Sequence, residues 1–193
     1  RNSHRPSETF ASFSETEEFY ITYFQKPGQA EAEIAKDPRR WLAGFYFSAS
    51  GDCPPPEPGQ KSMGFVPPGG LLSDGFSYPS SPLEWMTDAD LDFYTAEFAK
   101  AGFTGGLNRY RCIDHDWVDL RAWHHAPIYQ PSLFVGGEKD GPTLWGAGAI
   151  SRFSETLPGL RGTHILEGAG HWLQQEAATQ VNDLLLEFVD GIS

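Results

Sequence analysis

Two short apolar runs in the C-terminal third of the chain each end in a glycine-rich turn followed by a polar residue. The first is PSLFVGGEKD, residues 131–140, and the second is GTHILEGAGH, residues 162–171. Apolar runs of this length, bounded by turn signals, are typical of buried parallel strands. A helix is predicted between them at about 144–155, and a second one follows, because apolar residues recur there at helical spacing. This apolar stripe consists of Val181, Leu184, Leu185, Phe188 and Val189. The order strand, helix, strand, helix predicts an α/β architecture.

The residues before Pro127 follow a different, helical pattern. Residues 17–48 are rich in aromatics and helix formers; after the Pro27–Gly28 break, Asp37–Pro38 resembles an N-cap followed by proline at the first helical position. We therefore expect two helices rather than one in that part of the segment. A long loop rich in proline and glycine is predicted at about 50–84.

Two further helices are predicted before the α/β segment. Thr87 and Asp90 resemble a capping box that begins a helix running to Ala101 and ending at Gly102. A shorter helix is predicted across LNRYRCI. The chain is thus expected to divide into a helical region, 1–126, and an α/β region, 127–193.

Composition excludes several classes of function. The formal net charge of −12 argues against a nucleic-acid partner, because phosphate binding needs clustered Lys and Arg. The sequence has no apolar run long enough for a membrane span. Two cysteines give no disulfide framework, so a reducing, cytoplasmic location is expected. Neither His124–His125 nor His115 with its flanking aspartates has zinc-ligand spacing, and no glycine-rich stretch matches a phosphate-binding motif. We therefore expect no metal and no cofactor.

Asp140 and His171 each follow one of the two predicted strands. In open α/β sheets, functional groups lie beyond the carboxyl ends of the strands. If the two strands are neighbours, the carboxylate and the imidazole face each other. An acid that orients a histidine forms half of a catalytic triad, because it fixes the imidazole tautomer and stabilises the imidazolium. For either residue alone, an ordinary surface residue is the better interpretation, but together they indicate catalysis.

Long segments of the chain resemble the C-terminal part of an epoxide hydrolase of the α/β-hydrolase fold. They are FYITYFQKPGQAEAEIAKDPRR, DADLDFYTAEFAKAGFTGGLNRYRCIDHDW, PSLFVGGEKD and LRGTHILEGAGHWLQQE. The resemblance implies that residues 1–126 form a helical lid, or cap. It also implies that 127–193 form the last two strand–helix units of the hydrolase core.

The resemblance assigns roles to six residues. Asp140 would be the charge-relay acid and His171 the general base, while Tyr20 and Tyr110 would hold the epoxide oxygen. Two aromatic residues would line the substrate pocket: Trp172 and Phe24. The family attacks the epoxide with an aspartate on a sharp strand-to-helix turn, preceded by a His-Gly-x-Pro segment, and the sequence contains neither. The implied partners are therefore a small-molecule epoxide and a preceding part of the same protein that carries the nucleophile. A homodimer is left open.

Two other interpretations stay open at this stage. Haloalkane dehalogenases and serine esterases use similar Asp and His positions, so Asp140 and His171 alone do not distinguish them from an epoxide hydrolase. The paired tyrosines favour the epoxide. The other interpretation is a non-catalytic binding module that resembles a lid and lacks the nucleophile.

Overall fold

A computed structural model describes residues 4–56, 63–124 and 126–192. The chain forms two compact units. The first comprises the residues up to Ser48 together with Pro55–His124, and the second comprises Ala49–Pro54 together with the residues after His124. The boundary lies close to the one expected at residue 126, but Ala49–Pro54, which was expected in the helical region, groups with the second unit. None of the helices in the described ranges is long and apolar enough to cross a membrane.

The first unit is helical, with one small antiparallel ribbon between β1 and β2. Its elements, in chain order, are α1 (Pro6–Ala11), β1 (Glu18–Phe19), α2 (Tyr20–Phe24), α3 (Gln29–Ile34), α4 (Pro38–Ser48), β2 (Phe65–Val66), a 3-10 helix (Leu72–Gly75), α5 (Asp88–Ala101), α6 (Thr104–Arg111), α7 (Ile113–Asp119) and a second 3-10 helix (Leu120–Trp123).

The predicted helix starts are confirmed by their hydrogen bonds. The Asp37 carboxylate accepts the Arg40 backbone N–H at 3.0 Å, so α3 and α4 are separate helices as expected. At the start of α5, Thr87 Oγ1 accepts the Asp90 N–H at 3.2 Å, and Asp90 Oδ2 accepts the Thr87 N–H at 2.9 Å. Each of these side-chain oxygens satisfies a backbone donor that lacks a partner within the helix.

In three places the structure contains more helices or strands than the sequence pattern predicted. The short helix expected across LNRYRCI is two helices, α6 and α7, separated at Cys112. The predicted loop at 50–84 contains β2 and the first 3-10 helix; residues 57–62 of this loop lie outside the described ranges. The helix expected at 144–155 is three short helices in the second unit.

The second unit contains the predicted strand–helix order. Its elements are β3 (Ser132–Gly137), α8 (Gly141–Trp145), α9 (Ala147–Ile150), α10 (Phe153–Thr156), β4 (Leu160–Leu166), α11 (Leu173–Glu176) and α12 (Ala178–Asp190). Strands β3 and β4 pair in parallel, with Val135 opposite His164. Their carboxyl ends therefore lie at the same edge, which confirms the arrangement on which the prediction for Asp140 and His171 depends.

Candidate active site

Asp140 begins helix α8 directly beyond the end of β3. Its Oδ2 atom accepts hydrogen bonds from the Thr143 backbone N–H at 3.0 Å and from Thr143 Oγ1 at 2.8 Å. The residue is only 7% exposed. The N-cap position and burial together fix the direction of the carboxylate, because both interactions with Thr143 use the same oxygen. The other oxygen, Oδ1, is left to face His171.

The structure brings Asp140 and His171 together. Oδ1 of Asp140 lies 2.8 Å from Nδ1 of His171. An ionised carboxylate can only accept, so Nδ1 carries the hydrogen and donates it, and Nε2 is left as the basic nitrogen. The His171 side chain is 45% exposed, which leaves the ring accessible from one side.

The pKa of Asp140 is set by opposing effects. Burial is the largest, and alone it would raise the pKa. Hydrogen bonds from His171 and Thr143, together with the attraction to the imidazole, outweigh it and hold the pKa below its ordinary value. Asp140 is therefore ionised at neutral pH and can stabilise an imidazolium.

Backbone contacts fix the turn that carries His171. The Lys139 N–H donates to the Ala169 carbonyl at 2.9 Å, and the His171 N–H donates to the Ala49 carbonyl at 2.9 Å. A Cβ atom at Gly137 would lie 2.3 Å from the Gly170 oxygen, so only glycine permits this approach between the end of β3 and the turn. The turn is therefore held from both sides, by β3 and by the segment that contains Ala49.

Trp172 packs edge-on against the His171 ring. The ring centroids are 4.8 Å apart and the planes are inclined by 78°. This contact limits rotation of the imidazole while leaving its hydrogen bond to Asp140 in place. The role of Trp172 as a residue that lines a substrate pocket stays a prediction.

The first unit brings Tyr20 and Tyr110 together. Their ring centroids are 5.9 Å apart, with the planes at 78°. Phe24 contacts both tyrosines, with its ring centroid 5.6 Å from that of Tyr20 and 5.1 Å from that of Tyr110. Phe24 is only 3% exposed, so in this structure it supports the tyrosine pair from within the core. Its expected role in lining a substrate pocket stays a prediction.

Two polar residues hold the helices that carry the tyrosines. Gln25 Nε2 donates to the Tyr110 carbonyl at 2.8 Å and to the Ile21 carbonyl at 3.0 Å. Arg111 donates from Nε to the Phe24 carbonyl at 2.9 Å. Side-chain hydrogen bonds from Gln25 and Arg111 thus join the segments that carry Tyr20 and Tyr110.

Arg111 also forms a two-pronged ion pair with Glu31. Its Nη1 and Nη2 atoms donate to the two Glu31 oxygens at 2.8 and 3.0 Å. These hydrogen bonds lower the pKa of Glu31 to about 2. A bidentate arginine–carboxylate pair fixes orientation as well as distance, so it also locates α6 against α3.

The tyrosine hydroxyls suit hydrogen-bond donation to a developing alkoxide. Burial raises the pKa of Tyr110, and the positive charge of Arg109 only partly offsets this effect. The phenol therefore keeps its proton at neutral pH. A protonated phenol can donate to an oxygen on which negative charge accumulates.

Comparisons with known proteins find epoxide hydrolases among the relatives of this chain. Epoxide hydrolase B of Mycobacterium tuberculosis is 38% identical in an alignment 192 residues long, which covers 90% of this chain and 54% of that protein. An epoxide hydrolase from an endophytic Streptomyces superposes with a TM-score of 0.92 at 54% identity, over 98% of this chain and 57% of that one. The chain matches a C-terminal portion of epoxide hydrolases of the α/β-hydrolase fold.

A second solved structure supports this assignment. Epoxide hydrolase A from Mycobacterium thermoresistibile superposes with a TM-score of 0.85 at 36% identity, over 99% of this chain and 58% of that one. No protein-family model matches the chain. The chain spans about half the length of the epoxide hydrolases that it matches.

Several residues that hold the candidate site were not predicted from the sequence. Gln25 and Arg111 hold the tyrosine pair, and Glu176 binds backbone amides around His171. No local motif indicates them, because their partners are far away along the chain. Within the described ranges, no group of three or more metal-ligating side chains is assembled. His125, named among the rejected zinc candidates, lies outside those ranges.

Proposed function

We propose that the protein containing this chain hydrolyses epoxides to vicinal diols through a covalent ester on an aspartate. The observation that carries the proposal is the 2.8 Å hydrogen bond between Asp140 and a half-exposed His171, in a chain whose relatives are named epoxide hydrolases. The nucleophilic aspartate belongs to a preceding part of the same protein. The substrate is a small-molecule epoxide, and no cofactor is needed.

In the first step, the carboxylate attacks one ring carbon of the epoxide. A C–O bond forms to the aspartate and the ring C–O bond breaks, so the electron pair moves onto the epoxide oxygen. Tyr20 and Tyr110 donate hydrogen bonds to that oxygen, and one of the two phenols transfers its proton to it, which gives the first hydroxyl of the diol and leaves a phenolate. The raised pKa of Tyr110 supports this role, since a phenolate could not donate.

In the second step, His171 activates a water molecule. Nε2 takes a proton from the water, and the resulting hydroxide attacks the carbonyl carbon of the ester. The acyl C–O bond breaks, and the imidazolium returns its proton to the leaving oxygen, which becomes the second hydroxyl of the diol. The carboxylic acid left on the aspartate gives its proton to the phenolate, so the carboxylate and the tyrosine pair are both regenerated. Asp140 stabilises the imidazolium that forms during the transfer.

The tyrosine pair separates this function from the other hydrolases of the fold. Tyr20→Phe and Tyr110→Phe, made in the full-length protein, should each reduce turnover of styrene oxide by at least tenfold, because each removes a donor to the developing alkoxide. Tyr129→Phe is a matched control, since Tyr129 is 71% exposed and lies outside the pair. Unchanged epoxide turnover in both variants would exclude the proposal. Halide release from an alkyl halide, or acid release from an ester, would then assign the dehalogenase or esterase chemistry.

A non-catalytic module is the alternative from another class. The coding sequence upstream of Arg1 distinguishes the two, because the enzyme requires a His-Gly-x-Pro segment and an aspartate on a strand-to-helix turn. A cytoplasmic location and a homodimer stay predictions. Size-exclusion chromatography with light scattering of the full-length protein tests whether it is a homodimer.

A further inference from the structure

The carboxylate of Glu176 accepts three backbone hydrogen bonds in the second unit. Oε2 accepts the Gly51 N–H at 2.7 Å and the Gly170 N–H at 2.8 Å, and Oε1 accepts the Trp172 N–H at 2.9 Å. We refer to this carboxylate with its three amides as the Glu176 clamp. Hydrogen bonds from backbone amides to an ionised carboxylate are stronger than those between neutral groups.

Two of the amides in the Glu176 clamp belong to the residues on either side of His171, the proposed catalytic base. Gly170 and Trp172 directly precede and follow His171, and the His171 N–H donates to the Ala49 carbonyl at 2.9 Å. Three consecutive N–H groups are thus bound, the outer two by Glu176 and the middle one by the Ala49–Pro54 segment. Because Gly51 of that segment also binds Glu176, the carboxylate fixes both the turn and the segment against which the turn rests.

The packing around the clamp leaves little room for other arrangements. A Cβ atom at Gly51 would lie 1.9 Å from the Gly168 oxygen, and one at Gly170 would lie 2.3 Å from the Gly51 nitrogen. The two backbones are therefore in direct contact. Lys139, which follows β3, also binds this segment, because its Nζ donates to the Gly51 carbonyl at 2.7 Å.

We propose that Glu176 is a positioning residue for His171, which holds the imidazole in register with Asp140 for hydrolysis of the ester intermediate. The inference rests on the function proposed above. Glu176 does not contact the imidazole in the hydrogen bonds described, so it acts through the backbone of Gly170 and Trp172. A displacement of about 1 Å at a catalytic group is enough to slow a reaction about 100-fold.

Glu176→Gln tests the clamp with almost no change in volume. A glutamine offers one acceptor oxygen and one NH₂ group, whereas the glutamate uses both oxygens as acceptors. In either orientation at least one backbone N–H therefore faces another donor. If the amide oxygen keeps Gly51 and Gly170, then the Trp172 N–H loses its partner.

Two measurements on the full-length protein separate positioning from general structural support. Single-turnover kinetics with styrene oxide, followed by rapid quench and intact mass, give the rates of ester formation and ester hydrolysis separately. We expect Glu176→Gln to slow ester hydrolysis at least tenfold and to leave ester formation within twofold, because only hydrolysis uses His171. Hydrogen exchange at the Gly170 and Trp172 amides should accelerate about tenfold.

Two further variants complete the design. Glu187→Gln on the exposed face of α12 is the matched control and should leave both rates unchanged. Glu176→Asp keeps the charge but is one methylene shorter, so its rate of ester hydrolysis should lie between those of the wild type and the glutamine variant. Thermal unfolding verifies that each variant is folded; should Glu176→Gln not fold, Glu176→Asp is judged by the same measurements.

The inference is overturned if ester hydrolysis in the variant stays within twofold of the wild type. It is also overturned if both steps slow equally, or if exchange at Gly170 and Trp172 is unchanged. If the wild type forms no diol from any epoxide, the proposed function fails instead. Hydrogen exchange at the two amides then decides by itself whether the clamp holds the turn that carries His171.

Discussion

Replacing Asp140 by asparagine separates the electrostatic role of this residue from its structural one. Asparagine has the same shape as aspartate, and its amide oxygen can still accept the two hydrogen bonds from Thr143 that begin α8. The amide NH₂ group then faces Nδ1 of His171. Because two donors cannot bond, the imidazole must move its proton from Nδ1 to Nε2, and the basic nitrogen points away from the water.

The effect of Asp140→Asn on stability is expected to be much smaller than its effect on the rate of ester hydrolysis. Loss of the charged hydrogen bond should reduce the free energy of unfolding by about 1–2 kcal/mol, since the bonds to Thr143 remain. Loss of the correct tautomer and of the charge that stabilises the imidazolium should slow ester hydrolysis by roughly 10⁴-fold, the effect of the same substitution in a serine-protease triad. Ester formation, which does not use His171, should change by less than about threefold.

The loss of stability at acid pH provides a second test of the Asp140 carboxylate. The pKa of Asp140 is lowered in the folded chain, so its ionised form stabilises the fold above the ordinary carboxyl pKa. This contribution is lost as the pH falls through the lowered pKa. The asparagine variant lacks it, and its urea midpoint should therefore fall less than that of the wild type between pH 6 and pH 3.

Rapid-quench kinetics and urea unfolding of the full-length protein measure these effects. Asp183→Asn on the exposed face of α12 is the matched control. It should leave the rate of ester hydrolysis and the urea midpoint unchanged. Ester hydrolysis within tenfold of the wild type in a folded Asp140→Asn variant would refute the assignment of Asp140 as the orienting acid.

Three other outcomes are expected. Arg111→Met should lower the free energy of unfolding by about 1–3 kcal/mol in urea titrations, because it leaves Glu31 without its bidentate partner; an unchanged midpoint would contradict this. Since the pKa of Glu31 is about 2 when folded, the pair's stabilisation should be lost as the pH falls from about 4.5 to 2. Its magnitude should be about 1 kcal/mol after solvent screening, and Arg111→Met should abolish it. Residues 1–193 expressed alone should self-associate and bind a hydrophobic dye, because α12 leaves Leu186 64% exposed beside other exposed apolar residues; a cooperative, monomeric and active protein would contradict this.

Local signals were sufficient to predict the elements that carry Asp140 and His171. The helix starts at Asp37 and Thr87 depend on side chains within three residues of the backbone groups they bind, so they are visible in a short window. The positions of Asp140 and His171 follow from a rule about parallel strands, because functional groups gather at their carboxyl ends. The pairing of these two residues needed only the assumption that the strands are neighbours.

Long-range hydrogen bonds explain what the sequence did not predict. Glu176 binds Gly51 across 125 residues, and Arg111 binds Glu31 across 80. Neither pair produces a periodic pattern or a local motif. The grouping of Ala49–Pro54 with the second unit was not predicted either, because a short stretch within a proline-rich region gives no sign that it packs against the His171 turn.

The covalent intermediate is the most direct test of the proposed mechanism. His171→Gln in the full-length protein removes the base that activates water but leaves the nucleophile intact, so the ester should form and persist. Intact-mass spectrometry after treatment with styrene oxide should show an increase equal to the mass of one epoxide. The wild type under the same conditions should show diol and little adduct. Absence of the adduct in a folded variant, while the wild type turns over, would contradict the covalent mechanism and the role of His171 in it.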